Sequence, residues 1–431
     1  MSRTTDQHVD LLIVGAGPAG MAAALAAAGS GVRIVLLDDN PAPGGQIWRD
    51  GVQARVPPEA RRQREALAAA DNLQLLQSTR VVAVAGPHCL LLEDDTRAWR
   101  LHYAKLILCT GARELLLPFP GWTLPGVTGA GGLQALIKGG LPVAGERIVI
   151  AGSGPLLLAS AATARRAGAR VPRIVEQAPF AALARFGAQL PRWPGKALQA
   201  LQLASRGYRS SSHVVAALGE ERLQAVRLMQ NGTLLEIPCE RLACGYGLIA
   251  NTELAQALGF PLQANAIAVD TWQASPLAEH YAAGECTGIG GRELAQVEGA
   301  IAGYTAVGQW TEARALWPRR RRWQGFAERL ARAFVLDPHL KTLAQPDTLV
   351  CRCEDVPHAA LRERDGWIDA KLHSRCGMGA CQGRVCGAAA RFLFDWPLAQ
   401  PRLPLSPVRL ESLLLLGETA ALPSAAPPVV E

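Results

Sequence analysis

Five cysteines gather near the C-terminal end of this chain, in Cys351-Arg-Cys353, Cys376 and Cys381-Gln-Gly-Arg-Val-Cys386. Thiols placed so closely are a reactive liability unless a soft metal engages them as thiolates. Four thiolates suit either tetrahedral zinc or a [2Fe–2S] cluster. Zinc modules usually pair their cysteines as CxxC. This chain offers CxC and Cx4C, a pattern that favours iron–sulfur. Gly377, Gly379 and Gly383 lie among the cysteines, so backbone N–H groups can point at cluster sulfurs and tune a potential. Cys376 and Cys381 are spaced like Cys381 and Cys386, and spacing alone therefore leaves open which four of the five are ligands.

Near the other end, Gly15-Ala-Gly17-Pro18-Ala19-Gly20 follows an apolar run that reads as a strand and opens a stretch that reads as a helix. Gly15 permits the turn, Gly17 lets backbone approach a pyrophosphate, and Gly20 lets the helix pack against the strand. The helix N-terminus then stabilises phosphate charge. Asp38, with Asp39 beside it, ends the next strand, roughly twenty residues on, where a carboxylate accepts from a ribose 2′-hydroxyl. Gly44-Gly45-Gln46, Thr110-Gly111 and Gly284-Glu285 leading to Gly291 follow in the order of a flavin domain. The helix after Gly291 would aim its N-terminus at the cofactor and stabilise the charge of a reduced flavin.

A second fingerprint, Gly152-Ser-Gly154-Pro-Leu-Leu157, has Glu176 at the next strand end and Leu157 in place of the third glycine. It leaves open an NAD(P) or other adenine-nucleotide site, or a nucleotide fold kept without a ligand.

The elements that position these residues alternate between strands and helices, so the expected fold class is α/β, with two Rossmann-like nucleotide-binding domains and a small C-terminal module. Residues 1–118 and 245–312 form a discontinuous FAD-type domain. Residues 119–244 form the second, NAD-type unit, 313–345 a helical linker, 346–396 the cysteine module and 397–431 a proline-rich tail. Within that tail Leu413–Leu416 is apolar enough to dock on another surface.

The chain has 431 residues, 49% hydrophobic and 19% charged, with a net charge of +7. That composition describes a folded globular protein and excludes a disordered one. No apolar run reaches the length of a membrane span, so no transmembrane segment is expected. The N-terminal residues lack the order of a signal peptide. A cytoplasmic location follows, in which cysteines are reduced ligands or buried thiols rather than disulfides.

Arg319–Arg322 between Trp317 and Trp323 is the densest basic run. One short run is a weak footprint for nucleic acid and reads better as a solvated helix face or a subunit contact. Cys89, Cys109, Cys239 and Cys244 lie in or beside apolar strands and read as inert, while Cys286 stands apart because it follows Glu285 in the presumed flavin loop. No CxxC follows the first fingerprint, which argues against a thioredoxin-reductase-type dithiol. The eight histidines are scattered, and no catalytic residue is assigned.

Taken together, these motifs resemble the α-type subunits of heteromeric amino-acid and opine dehydrogenases, a group that includes D-hydroxyproline dehydrogenase α and the corresponding subunits of opine oxidase and hydrogen cyanide synthase. The resemblance is carried by Val14–Gly20, Pro43–Trp48, Thr110–Glu114, Phe119–Val127, Ala151–Leu158, Gly284–Gly291, Cys351–Asp355 and Gly377–Cys386. It implies a pyridine nucleotide-disulfide-reductase-like fold and a [2Fe–2S] module similar to bacterioferritin-associated ferredoxin. It also implies a D-amino-acid-oxidase-like catalytic partner, and leaves room for a small ferredoxin-like subunit and for membrane association through the complex. Carried over position by position, Cys351, Cys353, Cys381 and Cys386 would be ligands and Cys376 spare. Two positions depart from flavin folds: Glu285, where many have aspartate, and Ala250, where proline is common. The first site is thus expected to take FAD or another adenine nucleotide.

Three functions compete on these residues. The first is an electron-transfer subunit passing electrons from a secondary amine, oxidised on another chain, through flavin and cluster; a glycine-oxidising subunit of the hydrogen cyanide synthase type is its variant. The second is a self-contained NAD(P)H-dependent reductase with hydride entering at Gly152–Gly154. The third is a scaffold holding zinc.

Overall fold

Burial on both faces explains why the first sheet is built from unbroken apolar runs. In the computed structural model, which describes residues 6–397 and 399–417, Leu11–Val14 and Ile34–Leu37 are buried throughout. The first five residues and the end of the tail lie outside the described residues. The sheet runs in the order Leu73–Leu76, Ile34–Leu37, Gln7–Val14, Ala98–Leu108, Cys89–Glu93 and Arg80–Gly86. The long strand Ala98–Leu108 has two neighbours on one side. Its first half pairs antiparallel with Cys89–Glu93, its second half parallel with His280–Ala282. That last pairing brings the late part of the chain back into the first unit.

The second sheet is parallel, in the order Tyr208–Arg209, Arg170–Glu176, Arg147–Gly152, Arg241–Gly245 and Val127–Gly129. Inserted in it is an antiparallel meander, Ser212–Leu218, Ala225–Gln230 and Thr233–Pro238. The motifs of the sequence do not anticipate this meander as a separate sheet. The two nucleotide units are joined at two crossings, Ala112–Glu114 and Leu248–Ala250, which pair antiparallel as a small hinge sheet.

Two helices of the first unit, Pro18–Ala28 and Arg292–Ala306, pack with almost no side chain between them. A Cβ at Gly299 would lie 2.0 Å from the Ala19 carbonyl oxygen, and one at Gly303 would lie 2.2 Å from that of Ala23. This contact sets where the two helix N-termini stand relative to each other, and hence the geometry of the first cradle.

The helical linker expected over 313–345 is shorter than its pattern suggests. The helix spans Trp317–Ala333, and residues 334–337 are not helical. Pro338 bars any continuation of the helix beyond this stretch, because it lacks an N–H and disfavours helical backbone in Asp337. The Asp337 side chain instead accepts from the His339 amide at 2.8 Å and caps a short 3-10 turn. Beyond it the cysteine module comprises strands Leu349–Cys351 and Val356–Pro357 with helices His358–Arg362, Trp367–Ser374 and Cys386–Phe394. Its own core includes Val350, Leu361, Trp367, Ala389, Ala390 and Trp396. The tail helix Leu410–Gly417 returns to the first unit, where Leu415 and Leu416 pack on Val82, Ala83 and Leu91.

The close helix pair makes a stability prediction. Gly299→Ala should lower unfolding stability in urea by about 1–3 kcal/mol, because the added methyl meets backbone that cannot yield. Gly195→Ala, at an exposed helical position with open space around it, should leave stability unchanged or raise it by up to ~1 kcal/mol.

Candidate cofactor sites

Backbone meets backbone at the first fingerprint. A Cβ on Gly15, whose φ is +102°, would lie 2.3 Å from the Cys109 carbonyl oxygen. The Gly44 amide donates to the Ala16 carbonyl at 2.7 Å, and Gly45 stands against Gly17. The two glycine loops therefore form one continuous cradle at the N-terminus of Pro18–Ala28. Asp38 is buried beside it, accepting from the Ala16 amide and, at 2.8 Å, from the Asn40 amide. Desolvation, and then the Asp38 charge, push the Asp39 carboxyl above its usual range. Two carboxylates here suit a free ribose hydroxyl and oppose a phosphate on it.

The far wall of the cradle comes from residues distant in sequence. Thr110 Oγ1 donates to the Asn251 carbonyl at 2.7 Å, and Asn251 Nδ2 returns a bond to the Thr110 carbonyl at 2.9 Å. Gly284 packs so closely on Ala19 that a Cβ would lie 2.7 Å from the alanine methyl. Glu285 is turned toward its own helix. Desolvation pushes its carboxyl up, and the Gly291 amide at the helix N-cap partly offsets that.

Sequence reasoning missed Glu298. It is buried beneath this loop, raised by desolvation, and faced by Arg320 at 3.3 Å, the Gly284 amide and the Thr287 hydroxyl. The basic run carried the only available signal. Arg320 pairs with Glu298 and Arg322 donates to the Arg192 carbonyl, so two of its four arginines make packing contacts. Cys286 is fully buried, donates to the Leu108 and Ala283 carbonyls, and is pushed up to about 11 by desolvation. Glycine loops, a helix N-terminus and a carboxylate at the end of the second strand fit the needs of an adenine dinucleotide.

The second fingerprint has the same beginning and a different outcome. Gly152 sits where a Cβ would be 1.9 Å from the Gly245 carbonyl oxygen, so strand and turn are tight. Leu157 is fully buried in the core beside Ile148, Ile150 and Ile174, and its side chain fills the space that a third glycine would leave. Glu176 is fully buried and raised by burial. It accepts from the Gly154 amide at 2.8 Å and the Ala178 amide at 2.9 Å.

The linker then crosses the same loop. Ser153 Oγ donates to the Phe334 carbonyl at 3.4 Å, and Gln177 Nε2 donates to the Val335 carbonyl at 3.0 Å. The Asp337 amide donates back to Gln177 Oε1 at 3.1 Å. The chain's own backbone thus engages the side chains that flank Gly154 and Glu176.

In the cysteine module the thiols converge. The sulfurs of Cys351, Cys376 and Cys386 are buried and lie within 4.8 Å of one another. Cys381 adjoins Cys386 and Cys353, and Cys353 is the exposed end of the row. All five cysteines are therefore gathered. Cys376, spare by resemblance, lies among the buried three. Hydrogen bonds from the Cys376 and Cys386 thiols, and from the Gly377 and Glu354 amides, hold Cys351 well below the ordinary thiol range. Sharing with Cys351 pushes Cys376 up to about 12 and Cys386 higher still. Cys381 is lowered to about 5 by Cys386 and by the Val385 and Gly383 amides.

The glycines here are steric requirements. A Cβ on Gly377 or Gly383 would lie 2.5 or 2.8 Å from the Trp367 ring, and one on Gly379 would lie 2.3 Å from Cys353 Cβ. Clustered thiols with amides aimed at sulfur fit a soft, multiply charged metal centre.

With this geometry in view, similarity to known proteins gives the class. The sequence profile of the pyridine nucleotide-disulphide oxidoreductases matches residues 9–314, and the chain belongs to this family. It is an oxidoreductase. It is 32% identical to the HcnB subunit of hydrogen cyanide synthase from Pseudomonas aeruginosa, over 95% of this chain and 99% of that protein. It is also 32% identical to an opine oxidase subunit of Agrobacterium tumefaciens, over 95% of this chain and 92% of that one. Among solved structures, L-proline dehydrogenase from P. horikoshii superposes with a TM-score of 0.70 at 17% identity, over 96% of this chain and 81% of that one; at that identity the likeness concerns the fold.

The linker contacts predict how pyridine nucleotides behave. Calorimetric titration of the purified chain with NADH or NADPH should give no saturable heat at millimolar concentration. Micromolar binding that Gly154→Val abolishes would show the second cradle to be open.

Proposed function

We propose that the chain is the flavin and iron–sulfur electron-transfer subunit of a heteromeric dehydrogenase. Its donor would be a secondary amine or amino acid, of the D-hydroxyproline, proline or opine kind, oxidised on a D-amino-acid-oxidase-like partner. One observation carries this reading: a dinucleotide cradle and a converged thiol row share a chain whose second nucleotide fold is crossed by its own linker. Relatives named as subunits of an opine oxidase and of hydrogen cyanide synthase support the existence of a partner. The alternative of a glycine-oxidising subunit differs only in the donor. The NAD(P)H-dependent reductase is less well supported, because hydride would have to enter where Ser153 and Gln177 already hold residues 334–337.

Gly15, Gly17, Pro18, Ala19, Gly20 and Asp38 would hold the adenine half of FAD. Gly45, Gln46, Thr110, Gly111, Gly284, Glu285 and Gly291 would face the remainder. Cys351, Cys353, Cys381 and Cys386 would hold the cluster, with Cys376 as a buried thiol behind it. Held by these residues, a flavin would supply two-electron exchange with single-electron release, and a [2Fe–2S] centre would supply one-electron uptake. The protein's own contribution is positional. Glycine loops bring amides to the phosphates, Trp367 shapes the thiol loop, and exposed Cys353 puts one edge of the row at the surface. Among the described residues no helix is long and apolar enough to cross a membrane. The proposed setting is cytoplasmic, with any membrane contact made through the complex.

Two experiments test this reading. In the chain co-purified with its partner, the visible spectrum should bleach on adding a secondary amine or amino acid and stay unchanged with NADH. Bleaching of the single chain by NADH would instead establish the reductase. Serine scanning assigns the ligands. Cys351→Ser, Cys353→Ser, Cys381→Ser and Cys386→Ser should each lose the cluster absorption, and Cys376→Ser should keep it. Loss in Cys376→Ser with retention in Cys353→Ser would move the ligand set inward.

A further inference from the structure

Arg113 lies on the hinge strand Ala112–Glu114, where the chain leaves the first nucleotide unit. Its guanidinium makes three contacts, two to residues 251–253 and one to the thiol loop. Nη1 donates to Asn251 Oδ1 at 2.8 Å, Nη2 meets Glu253 Oε1 at 2.9 Å, and Nε donates to the Arg384 carbonyl at 3.1 Å. Asn251 is the residue locked to Thr110 at the wall of the first cradle. Arg384 stands in the thiol loop between Cys381 and Cys386. One planar cation therefore spans the dinucleotide cradle and the cysteine row.

The third bond has an electronic consequence. The Arg384 carbonyl and the Val385 N–H belong to the same planar peptide group. That N–H is one of the two amides whose proximity lowers the Cys381 thiol. Arg113 pulls on the oxygen of this peptide while its nitrogen faces the thiol loop, and polar groups in series polarise one another. The amide facing Cys381 is thereby made a stronger donor. A stronger donor favours the more negative state of a metal–sulfur centre.

We propose that Arg113 is a positioning residue that sets the reduction potential of the centre at the cysteine row and fixes the row against the hinge. It acts through the Arg384–Val385 peptide. The inference rests on the reading that these thiols hold a redox cluster. It involves no contact between Arg113 and a reacting atom.

Redox titration of the holoprotein, followed by the circular dichroism and EPR of the cluster, tests it. Arg113→Gln should shift the midpoint potential downward, enough to move the equilibrium for electron uptake about tenfold, the scale of one hydrogen bond. Arg113→Lys keeps the charge and loses the three-way fork. It should fall between wild type and Arg113→Gln, and it serves as the test if the glutamine variant does not retain its cluster. Arg384→Ala removes a second guanidinium from the same loop but leaves the carbonyl, so its shift should be much smaller.

Wild-type potentials in both Arg113 variants, or an equal drop in Arg384→Ala, would overturn the inference and leave the proposed function standing. A wild-type protein without iron would remove both.

Discussion

Sulfur atoms crowded within 4.8 Å cannot all ionise unless a cation offsets their repulsion, and the C-terminal module is built around that constraint. The thiols share the burden unevenly, Cys351 and Cys381 being lowered and Cys376 and Cys386 raised. With a metal every ligand is deprotonated, and the binding energy becomes folding energy for the loop that carries them. Trp367 packs against Gly377 and Gly383 and constrains the path of that loop. The amides of Gly377, Gly383 and Val385 are directed at sulfur rather than at other carbonyls.

The two nucleotide folds set one motif in different surroundings. Both place an acid at the end of the second strand, and in both it touches the glycine loop. In the first unit the loop is met by another glycine loop and by the late helix Arg292–Ala306, leaving a cradle lined by backbone. In the second, Leu157 fills the core and the linker crosses the loop. That unit provides the surface on which the linker leaves the nucleotide domains and reaches the cysteine module. The role of each site follows from its own residues.

Much of this was legible in the sequence, because the informative residues are glycines and cysteines whose roles are local. Gly15 and Gly20 announce close backbone approach, and the apolar runs at Leu11–Val14 and Ile34–Leu37 announce a doubly buried sheet. What stayed hidden depends on contacts between distant segments. Nothing in Phe334–Asp337 says that it crosses the second fingerprint, and the helical pattern beyond Ala333 pointed the other way. Glu298 and Arg113 look like ordinary helix and strand charges until the fold brings Arg320 and Arg384 to them. The place of Cys376 among the buried sulfurs was likewise beyond spacing, since loop geometry and not sequence distance decides which thiols meet.

The central claim is that the cysteine row holds a redox cluster in the same chain as a flavin cradle. Analysis of iron, zinc and acid-labile sulfide in the anaerobically purified chain tests it most directly. Iron and sulfide in equal amounts, with negligible zinc, is the predicted result. Zinc without sulfide would contradict the account and make the row a structural metal site.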